Sequence, residues 1–266
     1  MNETLTRTLS GIVYIVLLIG ATFYLNTFLL LFAVFLGITI AEFCALVRLK
    51  KTGPIVLGLI GYGLFSYFRV SKATEILLLA ATLFVSAKCI YFLFSQRQNN
   101  LDILSKYVFL IGYVILPMIL ITKIPQTGIT YDPKIIIGIF ILIWTNDTFA
   151  FLVGKNFGKT KLLERVSPKK TFEGFIGGLV FALLFSILIA KYFCEQSIYI
   201  WIAISLIVSI FGTIGDLIES KFKRNAGVKD SGKIMPGHGG ILDRLDSVIF
   251  VAPFVFLFYQ ILYYVS

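Results

Sequence analysis

The sequence predicts an all-α, polytopic integral membrane protein with about nine transmembrane helices. Apolar residues make up 58% of the 266, charged residues only 14%, and phenylalanine alone contributes 26. A soluble domain carries about a quarter charged residues. The apolar residues also fall in long runs, and about 18 in succession are enough to cross roughly 30 Å of hydrocarbon. Segments such as Leu77 to Val85 are apolar on nearly every face. They therefore lack the alternation of a membrane barrel, and helices are the remaining way to satisfy the backbone in lipid.

Polar breaks divide the chain into spans at 10–25, 27–47, 53–68, 73–95, 103–123, 133–154, 172–194, 197–220 and 241–265. Only Asn26 separates the first two. Residues 1–266 read as one membrane domain. Within it, 1–130 supply helices of mainly structural or lipid-facing role, and 131–266 form the catalytic region. The longest polar insertions are Lys155 to Thr171 and Lys221 to Gly240. A cleaved signal peptide is not expected, because a second apolar run follows the first at once with no small-residue cleavage site between them.

Orientation follows from Lys and Arg placement. Sixteen lie in the N-terminus and the loops after the second, fourth, sixth and eighth spans, Arg7 and Arg97 among them; five, including Arg69, lie in the other connections. The positive-inside rule puts the N-terminus and both long basic loops in the cytoplasm. The net charge of +10 then reflects cytoplasmic loops facing anionic headgroups and implies no nucleic-acid partner. Cys44, Cys89 and Cys194 are scattered without ligand spacing and read as packing residues. Tyr263 and Tyr264 read as interfacial anchors.

Against this apolar background the acids stand out: Glu42, Asp147, Asp216, Glu219, Asp243 and Asp246 lie in or beside spans. An aspartate at a helix centre costs about 2.5–3.5 kcal/mol on insertion scales, so such residues face a polar interior. The predicted topology brings Asp147, Asp216, Asp243 and Asp246 to a similar depth, open to the cytosol. Asp216 and Glu219 share a helix face, as do Asp243 and Asp246. Hard oxygen ligands beside a Lys/Arg-rich loop suit Mg²⁺ holding a polyphosphate. The glycines of Pro236-Gly237-His238-Gly239-Gly240 permit close backbone approach to a ligand at a helix start. The bland alternative is a cap and tight turn before a helix whose acids complement its dipole.

Two other patterns carry less. Gly154 to Thr160 is one residue short of a P-loop and follows a membrane helix rather than a strand, which excludes that fold. Gly174 and Gly178, four apart, fit close helix packing.

Ser220-Lys221-Phe222-Lys223-Arg224, Lys229-Asp230 and Pro236-Gly237-His238-Gly239-Gly240-Ile241-Leu242-Asp243-Arg244-Leu245-Asp246 closely resemble the signature of the phosphatidate cytidylyltransferases, also called CDP-diacylglycerol synthases. Asn146-Asp147-Thr148 and Ser167-Pro168-Lys169-Lys170-Thr171 also resemble family blocks. The resemblance is strong over the C-terminal half and covers the N-terminal half only through length and span pattern. It implies that CTP and phosphatidate give CDP-diacylglycerol and pyrophosphate for phospholipid biosynthesis. It further implies Mg²⁺, with room for a second cation, and a multi-pass protein of a bacterial-type cytoplasmic membrane with its active site facing the cytoplasm. A homodimer is compatible with it. By resemblance, Asp216, Asp243 and Asp246 are the expected metal ligands. Lys221, Lys223 and Arg224 are expected on the triphosphate or lipid phosphate, with Lys223 and Arg224 counted as catalytic. Asn146 and Asp147 are expected to position the nucleotide or a second cation. Ser167, Lys169, Lys170 and Thr171, with Gly237, His238, Gly239 and Gly240, are expected to contact phosphate groups. Two rival readings stay open: an ion-coupled carrier, since buried carboxylates also mark ion pathways, and a CTP-dependent lipid-alcohol kinase.

Overall fold

A computed structural model describes residues 3–68, 70–95, 101–127 and 130–265, without the side chains of 3–7 and 263–265. Arg69 and Arg97, and the side chains of Arg7, Tyr263 and Tyr264, lie outside what is described. Nine continuous helical segments run through the described residues: α1 (Glu3–Thr22), α2 (Leu25–Val47), α3 (Thr52–Tyr67), α4 (Lys72–Phe94), α5 (Ile103–Gln126), α6 (Pro133–Phe157), α7 (Phe172–Phe193), α8 (Ile198–Asn225) and α9 (Leu242–Val265). Seven are long and apolar enough to cross a membrane; α3 and the apolar part of α1, Thr8–Thr22, are shorter. The chain is a polytopic, helical membrane protein.

Local chemistry fixes several helix starts. Asp132 accepts from the Lys134 amide ahead of Pro133 in the first turn of α6, and Ser71 accepts from Thr74 N at α4. Thr171 does the same for Gly174 N at α7. Each removes one of the unsatisfied donors of a first turn.

Two features depart from the sequence expectation. The insertion between α6 and α7 is not an open loop: β1 (Lys161–Leu163) and β2 (Ser167–Thr171) pair antiparallel, the only strands among the described residues. Glu173 closes the base of this hairpin, accepting from the amides of Lys159 (3.0 Å) and Thr160 (3.0 Å). The second departure is that α8 continues to Asn225, so Lys221, Lys223 and Arg224 sit on a helix. The extension is stabilised by Glu219 and Lys223, which form an i,i+4 ion pair, and by basic residues at the helix C-terminus.

Glycines set the closest helix contacts. A β-carbon on Gly174 would lie 2.6 Å from the Ala150 carbonyl, and one on Gly178 would lie 2.7 Å from that of Asn146, so α7 packs directly on α6. Gly215 does the same between α8 and α9: a β-carbon there would be 2.6 Å from that of Phe250 and 2.8 Å from the Asp246 carbonyl. The acid-bearing turns of α8 and α9 are thereby held backbone to backbone.

The far face of α8 is anchored to the N-terminal helices. Phe222 sits among Phe43, Phe92, Phe109 and Tyr113, with ring centroids 4.8–5.6 Å away. Beside it, the Lys221 ammonium donates to the carbonyls of Phe92 (2.6 Å), Leu93 (3.3 Å) and Ser95 (2.6 Å). It thus caps the C-terminus of α4, where a cation is favoured. Arg165 of the hairpin turn adds bonds to Leu93 O and Phe94 O.

The start of α9 is held from α2. Glu42, buried, accepts from the amides of Ile241 (3.1 Å) and Leu242 (2.8 Å) and from the Ser231 hydroxyl (3.4 Å). A side chain some 200 positions upstream therefore does the work of an N-cap. Glu42→Leu strands two buried amide donors at about 1–3 kcal/mol each. The detergent-solubilised variant should unfold several degrees below the parent chain, with Glu42→Gln in between. An unchanged midpoint for Glu42→Leu would refute this clamp.

Candidate functional site

Helical spacing determines what α8 shows to each side. Lys221 and Phe222 point into the N-terminal bundle, while Asp216, Glu219 and Lys223, at i, i+3 and i+7, share the opposite face. That face meets the first turns of α9, the inner end of α6 and the β hairpin around a cavity of about 740 Å³. Its lining includes Asn146, Asp147, Lys155, Lys161, Lys169, Lys170, Thr171, Asp216, Lys223, His238, Asp243, Arg244 and Asp246.

Asp216, Glu219 and Asp246 each turn one carboxylate oxygen inward, and these three oxygens lie within 4.8 Å of one another. Glu219 is fully buried, and its Oε1 has no hydrogen-bond partner among the described residues. Lys170 reaches from β2 to Asp216, 2.5 Å from Oδ2. Lys223 bridges Glu219 and Asp243, the latter at 2.7 Å. Burial alone would lower the Lys170 pKa; the charge of Asp216 and the hydrogen bond to it outweigh burial and raise it above the ordinary lysine value. Lys170 therefore stays a cation across the physiological range.

Asp243 is differently engaged. Its Oδ1 accepts from Lys223, and its Oδ2 from Ser231 N (2.9 Å), Ser231 Oγ (2.9 Å) and Gly240 N (2.7 Å). Those bonds fold the 231–240 segment onto the start of α9. Gly237 and Gly239, at φ 75° and 89°, supply left-handed turns that other residues rarely adopt, and Met235 pairs with Gly239 across the tight turn.

Of the residues expected to contact phosphate, Lys169, Lys170, Thr171, Lys223 and His238 line this cavity, and six do not. Lys221 is turned away and consumed by the α4 carbonyls, so the expectation that it binds phosphate is corrected. Arg224 donates to Val228 O (3.1 Å) and is absent from the lining. Ser167, Gly237, Gly239 and Gly240 shape the hairpin and turn without lining the cavity. Asp243 belongs to the lining but stands outside the acidic trio.

Other residues enter that spacing did not single out. Lys161 lines the cavity, its ammonium held by the Pro168 carbonyl at 2.7 Å. Arg244 lines it too. Its signal was present, one residue from Asp243 in the quoted signature. Glu219 was visible as the i,i+3 neighbour of Asp216.

The donor set fits a hard divalent cation such as Mg²⁺. It offers three carboxylates at mutual ligand distance, one with an unpartnered buried oxygen, and no softer nitrogen or sulfur donor in the trio. Five carboxylates converge here (Asp147, Asp216, Glu219, Asp243 and Asp246), and among the described residues only Lys170 and Lys223 form ion pairs with them. The excess negative charge in a partly dry site favours a cation between them.

Several known proteins resemble part of this chain. Phosphatidate cytidylyltransferase of Staphylococcus aureus (strain COL) is 54% identical over 116 residues, 43% of this chain and 44% of that protein. The protein of that name from Bacillus subtilis (strain 168) is 47% identical over 137 residues, 51% and 49% of the two chains. That from Staphylococcus saprophyticus is 45% identical over 145 residues, 54% of each. The chain thus matches about half the length of these curated relatives. The profile of the cytidylyltransferase family extends much further, from residue 5 to 262. Matched across nearly its whole length, the chain belongs to the cytidylyltransferase family.

Proposed function

We propose that this chain transfers a cytidylyl group from CTP to phosphatidate, forming CDP-diacylglycerol and releasing pyrophosphate. The observation that carries the reading is the trio Asp216, Glu219 and Asp246, of which Asp216 and Asp246 line a lysine-lined cavity and Glu219 is buried behind them, in a chain of this family. The names of the curated relatives support the same substrates. The excess of Lys and Arg in the even-numbered loops supports a cytoplasmic-facing site in a bacterial-type inner membrane.

The chemistry suits the residues. The attacking group is an oxygen of the lipid's phosphate monoester, already anionic at neutral pH. It forms a bond to the α-phosphorus of CTP as the bond to the β-phosphate oxygen breaks, and pyrophosphate leaves with that electron pair. No strong general base is required. The obstacle is repulsion between two anions, together with charge on the leaving group. Mg²⁺ held by Asp216, Glu219 and Asp246 would supply Lewis-acid neutralisation of phosphate oxygens. Lys170 fixes the orientation of Asp216, and Lys223 that of Glu219. Lys155, Lys161 and Lys169 on the rim offer charge to the triphosphate, and Asn146 donates to Asp147 at the cavity wall (3.5 Å). Asp243, saturated by four donors, holds the turn that carries Asp246's helix into place.

Purified protein given CTP, Mg²⁺ and phosphatidate should release pyrophosphate and CDP-diacylglycerol. CDP with a phosphorylated lipid alcohol would instead mark a kinase, and an absence of turnover would return the carrier reading. Asp216→Asn and Asp246→Asn should each lower turnover by roughly a hundredfold and raise the Mg²⁺ concentration needed for half-maximal rate. Wild-type Mg²⁺ dependence in either variant would remove that residue from the cation site. Asp243→Asn should act mainly on folding, lowering the thermal midpoint more than it shifts the Mg²⁺ requirement. Lys170→Gln leaves Asp216 without its partner and should cost roughly tenfold or more in turnover; near-normal kinetics would show that the hairpin does not serve the site.

A further inference from the structure

Tyr113 of α5 packs among phenylalanines. The ring centroids of Phe43, Phe222 and Phe250 lie 6.0, 5.6 and 6.5 Å from its own. Phe222 follows Glu219 by one helical turn on α8, and Phe250 follows Asp246 by one turn on α9. Tyr113 therefore reaches from the N-terminal bundle to the seam of the two helices that carry the carboxylate trio. The local backbone is unusual there. A stretch of π-helix, Leu110–Ile115, widens the middle of α5, whereas the π stretches of α3 and α7 close those helices at their ends. A π-bulge inside a helix re-aims its side chains and is frequent at functional sites. Gly112 completes the arrangement, because a β-carbon there would collide with the Val85 side chain of α4.

The hydroxyl is the feature that packing does not explain. Tyr113 is buried, and among the described residues its hydroxyl has no hydrogen-bond partner. Glu219 is buried as well, and its Oε1 is unpartnered in the same sense. Of the titratable groups around the Tyr113 hydroxyl, Glu219 acts on it most strongly, ahead of Asp246, the Cys89 thiol and Asp216. An unpaired donor and an unpaired acceptor, both shut away from water, each cost stability. A phenylalanine at 113 would fill the same space, as its neighbours do, without that cost. Tyr62 of α3 is the contrasting case: it is buried too, but donates to the Leu29 carbonyl at 2.9 Å.

We propose that Tyr113 is a positioning residue for the cation site: its hydroxyl is the hydrogen-bond donor to Glu219 and holds that carboxylate turned toward Asp216 and Asp246. The bond runs directly or through one enclosed water. This rests on the cation site of the cytidylyl-transfer reading and adds to it a support from the N-terminal half. Lys223 engages only Oε2 of Glu219. The last torsion of a glutamate is broad and roughly two-fold, so one ion pair leaves the carboxylate free to turn. A second donor on the other oxygen fixes it, as partners of ligating carboxylates do at metal sites. α5 contributes no residue to the cavity lining, yet through Tyr113 it acts on the site from behind.

Tyr113→Phe removes one oxygen and leaves the ring in place. Mn²⁺ serves as a paramagnetic probe, titrated into detergent-solubilised, EDTA-stripped protein without nucleotide or lipid. Loss of the hydroxyl should weaken Mn²⁺ binding by roughly tenfold or more and raise the Mg²⁺ requirement of cytidylyl transfer by a similar factor. The metal-free thermal midpoint should stay at or above that of the parent, because an unpaired buried hydroxyl has been removed. Tyr62→Phe should do the reverse, lowering the midpoint while Mn²⁺ affinity stays within about twofold. In a Glu219→Gln background, Tyr113→Phe should change Mn²⁺ affinity by less than about twofold, since the carboxylate it serves is gone. Parental Mn²⁺ affinity in Tyr113→Phe would overturn the proposal, as would a full effect in the Glu219→Gln background. A metal-free midpoint that falls in step with affinity would also overturn it, and so would a parent chain that binds no Mn²⁺. Tyr113-dependent Mn²⁺ binding by a protein that forms no CDP-diacylglycerol would uphold the positioning role and refute the activity instead.

Discussion

Carboxylates gathered inside an apolar helix bundle repel one another and lose the hydration that would stabilise them in water. The C-terminal half of this protein is arranged around relieving that cost. Lys170 is brought from a hairpin to Asp216, and Lys223 is placed one helical turn from Glu219 so that it also reaches Asp243. Asp243 is bound by backbone and hydroxyl donors from the turn before α9. The compensation is incomplete at one place, where Asp216, Glu219 and Asp246 face one another. On the proposed function, that remainder is what would draw in positive charge and, with it, phosphate.

Rigidity comes from the opposite side of the same helix. Phe222 and Lys221 fasten α8 to α2, α4 and α5, and Gly215 lets α9 lie directly on it. Successive residues on α8 thus alternate between anchoring and chemistry: Glu219 in the site, Lys221 and Phe222 in the bundle, Lys223 in the site again. The cation site proposed here would need ligand oxygens held to within a fraction of an ångström, and this packing supplies that constraint without a disulfide. Cys44, Cys89 and Cys194 are all buried and free.

Much of this was legible in the sequence. Hydrophobic run length gave the helices because lipid leaves no other way to satisfy the backbone, and the cost of burying acids pointed to a shared polar interior. The i,i+3 spacing correctly paired Asp216 with Glu219 on one face. Spacing alone could not tell which acid would be consumed by structure: Asp243 and Asp246 look equivalent until the turn at 231–240 folds back and saturates one of them. Lys221 misled for a similar reason. In a cluster of basic residues each looks available to phosphate, yet the helical continuation to Asn225 rotates Lys221 toward the α4 carbonyls. Glu42 was visible as a costly acid, but its donors lie about 200 positions away, beyond the reach of any local pattern.

That long-range bond has a consequence for how the protein is made. As the chain inserts from its N-terminus, α2 enters the bilayer with a carboxylate whose amide partners, at Ile241 and Leu242, have not yet been synthesised. Until the last helix arrives, Glu42 has none of those donors and α2 carries a local penalty. Arrival of α9 removes it in the same step that brings Asp246 beside Asp216 and Glu219. Completion of the bundle and assembly of the carboxylate trio are therefore one event in biogenesis, and a chain lacking α9 holds no such trio in the membrane.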